Sequence, residues 1–218
     1  MIAEHEIEPV PGLPEKLPEG EGILWQGAPR WWSLASRALH LRGLALYFAL
    51  MVGWSIWNAA TTAETFGEAA FAAATSLGLA LLCLAVLVVI GRALGQASLY
   101  TITNKRVVLR VGVALPMTIN IPFTAVETAA VKRHADGTED IVLTLSPKHK
   151  IAWLALWPHA RPWRVARAEP MLRAVPVTSG AAQVLARALA ASASVPVTPV
   201  LEEGRGVRDG ALPGAVVA

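Results

Sequence analysis

Charge and cysteine are what this 218-residue sequence has least of. Asp, Glu, Lys and Arg make up 16% of it, where an ordinary soluble domain carries roughly a quarter. The apolar share is 54%, with a mean hydropathy of +0.47, so water cannot be the only solvent. The single cysteine, Cys83, excludes an intramolecular disulfide framework and any multi-cysteine zinc or iron–sulfur site. Its setting among leucines and valines predicts a neutral, inert thiol. No HExxH, GxSxG, Walker or GxGxxG motif occurs, so no catalytic residue, cofactor or metal ligand is assigned and the chain reads as non-enzymatic. The 19 Lys and Arg against 16 Asp and Glu leave a net charge of +3. Without a clustered basic face, that balance gives no argument for nucleic acid.

Two runs lack charge altogether. Residues 43–63 (GLALYFALMVGWSIWNAATTA) and 69–91 (AAFAAATSLGLALLCLAVLVVIG) are each long enough to cross a hydrocarbon core of about 30 Å as a helix. In the second, each leucine, valine or isoleucine favours insertion by roughly 0.3–0.6 kcal/mol at mid-membrane. Trp54 and Trp57 suit the interfacial belt, and His40 sits at the edge of the first span. With no ionisable residue inside either span, an ion path or proton relay has nothing to carry it. Ala70, Ala74 and Gly78 recur every four positions, a small-residue face for packing against the first helix, a client helix or a second copy in a homodimer. Arg30, Arg37 and Arg42 precede the first span and Arg92, Lys105, Arg106 and Arg110 follow the second. The connection between them carries Glu64 and Glu68 but no Lys or Arg. The positive-inside rule then gives a multi-pass protein with both termini cytoplasmic. The acidic, proline-containing lead has no basic n-region or cleavable small-residue site and does not read as a signal peptide.

After Gly95 the pattern changes to short β-branched runs between turn residues. SLYTIT (98–103) and RVVLRV (106–111) flank a tight turn at Asn104-Lys105. MTINIPF places Ile119, Ile121 and Phe123 on one face, and AVETAAVKR leads to a hairpin turn at Asp136-Gly137. DIVLTL and KIAWLAL complete an expected set of six strands. A proline-rich stretch with Trp157, Trp163 and Met171 comes next, then an amphipathic helix over 178–191. EGILWQGAP (21–29) supplies an additional strand or docks on the unit. The expected fold class is an α+β membrane protein: a transmembrane helical hairpin plus a small antiparallel β domain closed by a C-terminal helix. The expected segments are a disordered N-terminus at 1–20, a cytoplasmic lead at 21–42, spans at 43–63 and 69–91, the β domain at 97–192 and a disordered tail at 193–218.

An ILWQGAP-type lead, two spans, YTITNKRVVLRVG and IPFTAVETAAVKR together resemble bacterial membrane proteins with a pleckstrin-homology-like domain. WPHARPW followed by PMLRAVP, within 156–176, is more narrowly similar to the PuhB family, the photosynthetic complex assembly proteins of purple phototrophic bacteria. The resemblance covers residues 21–191. It implies a non-enzymatic helper that binds nascent reaction-centre and core light-harvesting antenna subunits transiently in the photosynthetic membrane. It implies no cofactor.

Two groups of residues stand out as candidate sites. Trp157, His159, Arg161, Trp163 and Arg164 form a partner-docking loop, stiffened by Pro158 and Pro162 and carrying the large aromatic area on which hot spots are built. Residues 97–192 hold 12 Lys and Arg against 5 Asp and Glu. Among them Lys105, Arg106, Arg110, Lys132 and Arg133 are a candidate basic patch for a partner or for anionic lipid, worth about 1 kcal/mol per residue near the surface. The alternative function is therefore an anionic-lipid-binding, membrane-organising pleckstrin-like module.

Overall fold

The structure is a computed structural model and describes residues 13, 16–192 and 200–201. The disorder expected for 1–12, 14–15, 193–199 and 202–218 lies outside the described residues. In chain order the elements are β1 (Ile23–Gly27), α1 (Trp31–Ala38), α2 (Leu41–Thr62), α3 (Phe66–Gln96), β2 (Leu99–Thr103), β3 (Arg106–Val111), β4 (Met117–Pro122) and β5 (Val126–Arg133), followed by β6 (Thr138–Leu145), α4 (Trp153–Leu156), β7 (Met171–Pro176), α5 (Ala181–Ser192) and β8 (Val200–Leu201).

The two charge-free runs are α2 and α3, which reverse over three residues. Thr65 caps α3 by accepting from the Glu68 N–H (3.3 Å), and the Glu68 carboxylate accepts from the Glu64 N–H (3.2 Å), a close relative of the capping box. Both helices are long and apolar enough to cross a membrane, and only 6% of the most apolar window of each is buried. A core helix of a soluble protein would be buried; here Leu46, Leu50, Leu79, Leu82 and Val89 face outward. The seam between the helices is not the one expected. Ala70, Ala74 and Gly78 are exposed, and a Cβ on Gly78 would meet nothing within 4 Å. Ala69, Ala72, Ala73, Ser76 and Ala80 are the less exposed positions instead, spaced as one face of a 3.6-residue helix.

The β domain consists of two four-stranded sheets, ordered β1-β2-β3-β4 and β7-β6-β5-β8. Tyr100, Ile102, Leu109, Ile121, Ile141, Leu143 and Leu172 point inward from both, and Leu185 and Leu189 of α5 close the core. At the β2–β3 turn the Thr103 hydroxyl accepts from the N–H groups of Lys105 and Arg106. At the β5–β6 turn Gly137 takes the left-handed conformation (φ +75°) while Asp136 accepts from the Thr138 N–H (3.1 Å), an Asx-type turn.

Several expectations are corrected. KIAWLAL is not a strand: its end forms the single helical turn α4, which sends Leu156 into a small cluster with Ala160 and Ala168. The strand beside β6 comes instead from PMLRAVP. The lead contains the helix α1, and α5 starts at Ala181 because Val177–Ser179 is a 3-10 turn ended by Gly180 (φ +68°). Gly20 is tied to the β2–β3 turn, where Asn104 donates to its carbonyl (2.9 Å). Val200–Leu201, expected in a disordered tail, pairs in parallel with Ala130 and Val131.

The lead and the β domain meet at the end of α3. Helix α1 lies against its last turns, with Ala35 over Gly91 and Trp31 over Gly95, and Leu34, Leu94 and Ala174 form a shared apolar contact. A Cβ on Gly95 would sit 2.5 Å from Trp31 Cβ, so only glycine allows this approach. Gly95→Val is expected to cost about 1–3 kcal/mol through overpacking and to lower the melting temperature of the detergent-solubilised chain. Gly78→Ala, with open space around it, should leave that temperature unchanged or slightly raised; equal losses in both would refute the close α1–α3 contact.

Candidate functional site

Only Ala97 and Ser98 separate α3 from β2, and a buried polar relay begins at that joint. The Ser98 hydroxyl donates to the Leu94 carbonyl (2.6 Å), which leaves its oxygen to accept from His159 Nε2–H (2.9 Å). The other ring nitrogen, Nδ1, then accepts from the Tyr100 hydroxyl (2.7 Å), whose oxygen accepts from the Arg173 N–H (3.2 Å). Every donor has an acceptor when His159 is neutral, and a second ring proton would leave the Tyr100 hydroxyl facing a donor. Burial, reinforced by the nearby Arg173 charge, holds the His159 pKa down at about 3. Burial likewise raises the Tyr100 pKa far above its ordinary value.

His159 therefore faces the interior and is fully buried; it cannot touch a partner and leaves the expected docking set. Its role is to seat the loop around it. The Met171 N–H donates to the His159 carbonyl (2.8 Å) and the Arg161 N–H to the Glu169 carbonyl (3.0 Å), making a short two-stranded ribbon. Beyond it Glu169, itself buried, receives Arg161 at 3.1 Å and Arg164 at 3.8 Å. Trp163 stands at the tip in a left-handed conformation (φ 66°), 96% exposed, and Trp157 is 41% exposed. The braced loop thus holds two tryptophans with large aromatic area open to contact.

Among known proteins, the model of the bacterial PH domain family matches residues 38–156. The chain belongs to the bacterial PH domain family. The match takes in both long helices and strands β2 to β6; β1 lies before it and β7 and α5 after it. A protein of Rhodobacter capsulatus described as an uncharacterized 23.7 kDa protein in the puhA 5′ region is 36% identical over 198 residues, which span 88% of this chain and 91% of that one. No solved structure matches.

This PH-family chain does not gather its expected basic patch in one place. Lys105 and Arg106 lie at the β2–β3 turn, where Arg106 is paired with the buried Glu21 (2.8 Å). Arg110 lies at the other end of β3, opposite Leu99 and Thr118. Lys132 and Arg133 end β5 on the second sheet, with Arg133 beside the buried Glu139 (3.6 Å). Phe123, just before β5, bonds back to Lys105. The length of β5, roughly 20 Å or more at the usual rise, therefore separates the two clusters.

A second polar joint was not visible in the sequence. Asp140 accepts from the Ala174 N–H (2.7 Å), from Arg37 of α1 (3.4 Å) and from His134 Nε2 (2.8 Å). Asp136 also takes Arg37 (3.4 Å). Partial burial opposes its charge, but the Thr138 and Ser33 hydroxyls, the Thr138 N–H and Arg37 outweigh it and hold the Asp136 pKa at about 2. The available signal was a charge inside an apolar strand: Asp140 opens DIVLTL, and Arg173 sits within PMLRAVP. Both are buried.

The relay fixes a pH dependence. His159 binds a proton in the unfolded chain near pH 6.5 but in the folded chain only near 3. Its contribution is complete above 6.5 and is lost as the pH falls from there toward 3, with a slope approaching about 1.4 kcal/mol per pH unit. Denaturant unfolding of the full chain in detergent at pH 8 and pH 5 should show this loss. His159→Gln should be less stable at pH 8 and lose less on acidification; an unaltered slope would place the titration elsewhere.

Proposed function

We propose that this chain is a non-enzymatic, membrane-anchored assembly factor for the photosynthetic apparatus. In this reading it binds nascent reaction-centre and core-antenna subunits transiently in a photosynthetic inner membrane. The observation that carries the proposal is the Rhodobacter capsulatus relative, similar over nearly the whole chain and named for its place beside puhA. The PuhB-type resemblance of WPHARPW and PMLRAVP agrees with it. The antiparallel pairing of α2 and α3 sets both the lead and the β domain at one end of the hairpin. The arginines at that end, against Glu64 and Glu68 at the other, support a cytoplasmic location.

Two surfaces serve the proposed binding. The outward faces of α2 and α3, including Ala70, Ala74 and Gly78, are free for a client helix or a second copy. The loop bearing Trp157, Arg161, Trp163 and Arg164 docks on the cytoplasmic side of a client. The alternative, an anionic-lipid module acting through Lys105, Arg106, Arg110, Lys132 and Arg133, finds less support, because these residues are spread over both sheets and Arg106 and Arg133 are paired.

Deleting the gene while preserving expression of its neighbours should lower reaction-centre and core-antenna levels. Unchanged levels would overturn the assembly reading. In a complemented strain, replacing Trp157, Arg161 and Trp163 by alanine should remove about 2 kcal/mol or more of docking energy, roughly a thirtyfold loss of client co-purification, with the protein still in the membrane. Full recovery of clients would refute docking through this loop.

A further inference from the structure

Between Arg110 and Glu127 the chain carries no charge, and the middle of that stretch is the connection from β3 to β4. Its apolar side chains are not in the core: Leu115 is 80% exposed, Val113 53% and Met117 43%. The connection is also closely turned. Gly112 adopts φ +104°, and the space where a Cβ would stand is taken by the Leu115 carbonyl oxygen. Pro116 then fixes the entry to β4, so the tip is held out rather than collapsed onto the sheet.

The register gives its position. Strand β2 leaves the end of α3 after two residues, and its antiparallel neighbour β3 returns to the same end, with Arg110 opposite Leu99. Val111 pairs with Met117 beyond that level, so the tip reaches past Leu99 by several residues at about 3.3 Å each, back toward the helical hairpin. The far end of the domain is occupied differently: Phe123 bonds to Lys105 there and α5 packs against the turn following β4. The apolar tip is thus on the membrane-facing end. Exposed apolar side chains beside a cationic residue, at the end where a chain leaves a bilayer, match the pattern of an interfacial anchor.

We propose that the β3–β4 connection dips into the lipid headgroup–acyl boundary, with Val113, Leu115 and Met117 as the inserted residues and Arg110 at the phosphate level. The proposal rests on α2 and α3 spanning that bilayer. The occupant is lipid rather than protein because the tip offers no charge and no side-chain hydrogen-bonding group. The tryptophan loop nearby differs, being laced with Arg161, Arg164 and Glu169. Anchored at α3 and again at this tip, the domain cannot swivel about the helix axis.

The test uses the full chain with Cys83→Ala and one new cysteine at a time: Leu115→Cys, Lys105→Cys at the far turn, or Leu79→Cys within α3. Each carries a bimane probe and is reconstituted in phosphatidylcholine–phosphatidylglycerol nanodiscs with brominated acyl chains. Quenching at 79 and 115 but not at 105 is expected. Quenching at 79 with none at 115 overturns the anchor and leaves the spans standing. No quenching at 79 overturns the spanning helices, and the anchor with them. A probe at 115 that stays wet in lipid but becomes protected in native membranes marks a protein-docking face and also overturns the proposal.

Discussion

The whole arrangement depends on the absence of a linker between α3 and β2. Two residues separate the long apolar helix α3 from strand β2, and side-chain contacts hold both sides of that joint. Ser98 closes the last turn of α3 through the Leu94 carbonyl while accepting from His159, and Gly91 and Gly95 admit α1 against the same turns. A flexible tether would let the β domain sample many poses. A helix that runs directly into a strand, buttressed by α1, allows one. The position of every loop on the domain relative to α2 and α3 follows from this junction.

Two buried polar groups divide the work of fixing that pose. Asp140 joins three segments at once, α1 through Arg37, the β5–β6 turn through His134 and β7 through the Ala174 N–H. The His159 relay joins α3, β2 and β7. Buried ionic contacts add little net stability against a well-packed apolar alternative, yet removing one partner strands the other in low dielectric. Their effect here is on geometry. A misdocked α1 would leave Asp140 without Arg37, and a displaced loop would leave Tyr100 and Ser98 unmatched. Alternative packings of the joint therefore carry desolvation costs that the observed one does not.

How much of this the sequence disclosed depended on whether the deciding forces were local. The hairpin was legible because a charge-free run of twenty residues has few structural uses, and the turns at Asn104-Lys105 and Asp136-Gly137 were legible because their chemistry is local. KIAWLAL was misread because a short apolar run fits a strand or a buried helical turn equally well; only the position of Ala160 and Ala168 decides for the turn. PMLRAVP was missed because prolines at both ends and an arginine in the middle look like surface. The local cluster of Trp157, Pro158, Pro162 and Trp163 groups His159 with a docking loop. What reverses it is the hole between Ser98 and Tyr100, sixty residues upstream, and no local pattern contains that information. The stripe at Ala70, Ala74 and Gly78 is not the less exposed one because Ala72, Ser76 and Ala80 make a second small-residue stripe of the same spacing, and spacing alone does not choose which of the two meets α2.

The braced tryptophan loop changes what its binding would cost. A loop that orders only on contact loses conformational entropy when it docks, and that loss is subtracted from the interaction energy. Here the ribbon at 159–161 and 169–171, the ion pairs to Glu169 and the buried imidazole have already ordered the backbone around Trp163. Little remains to be lost at docking except the rotamers of the exposed side chains. Such a surface can bind through very few residues, and differences in its affinity fall mainly on the dissociation rate. That low ordering cost arises from the same buried histidine that ties the loop to the end of α3.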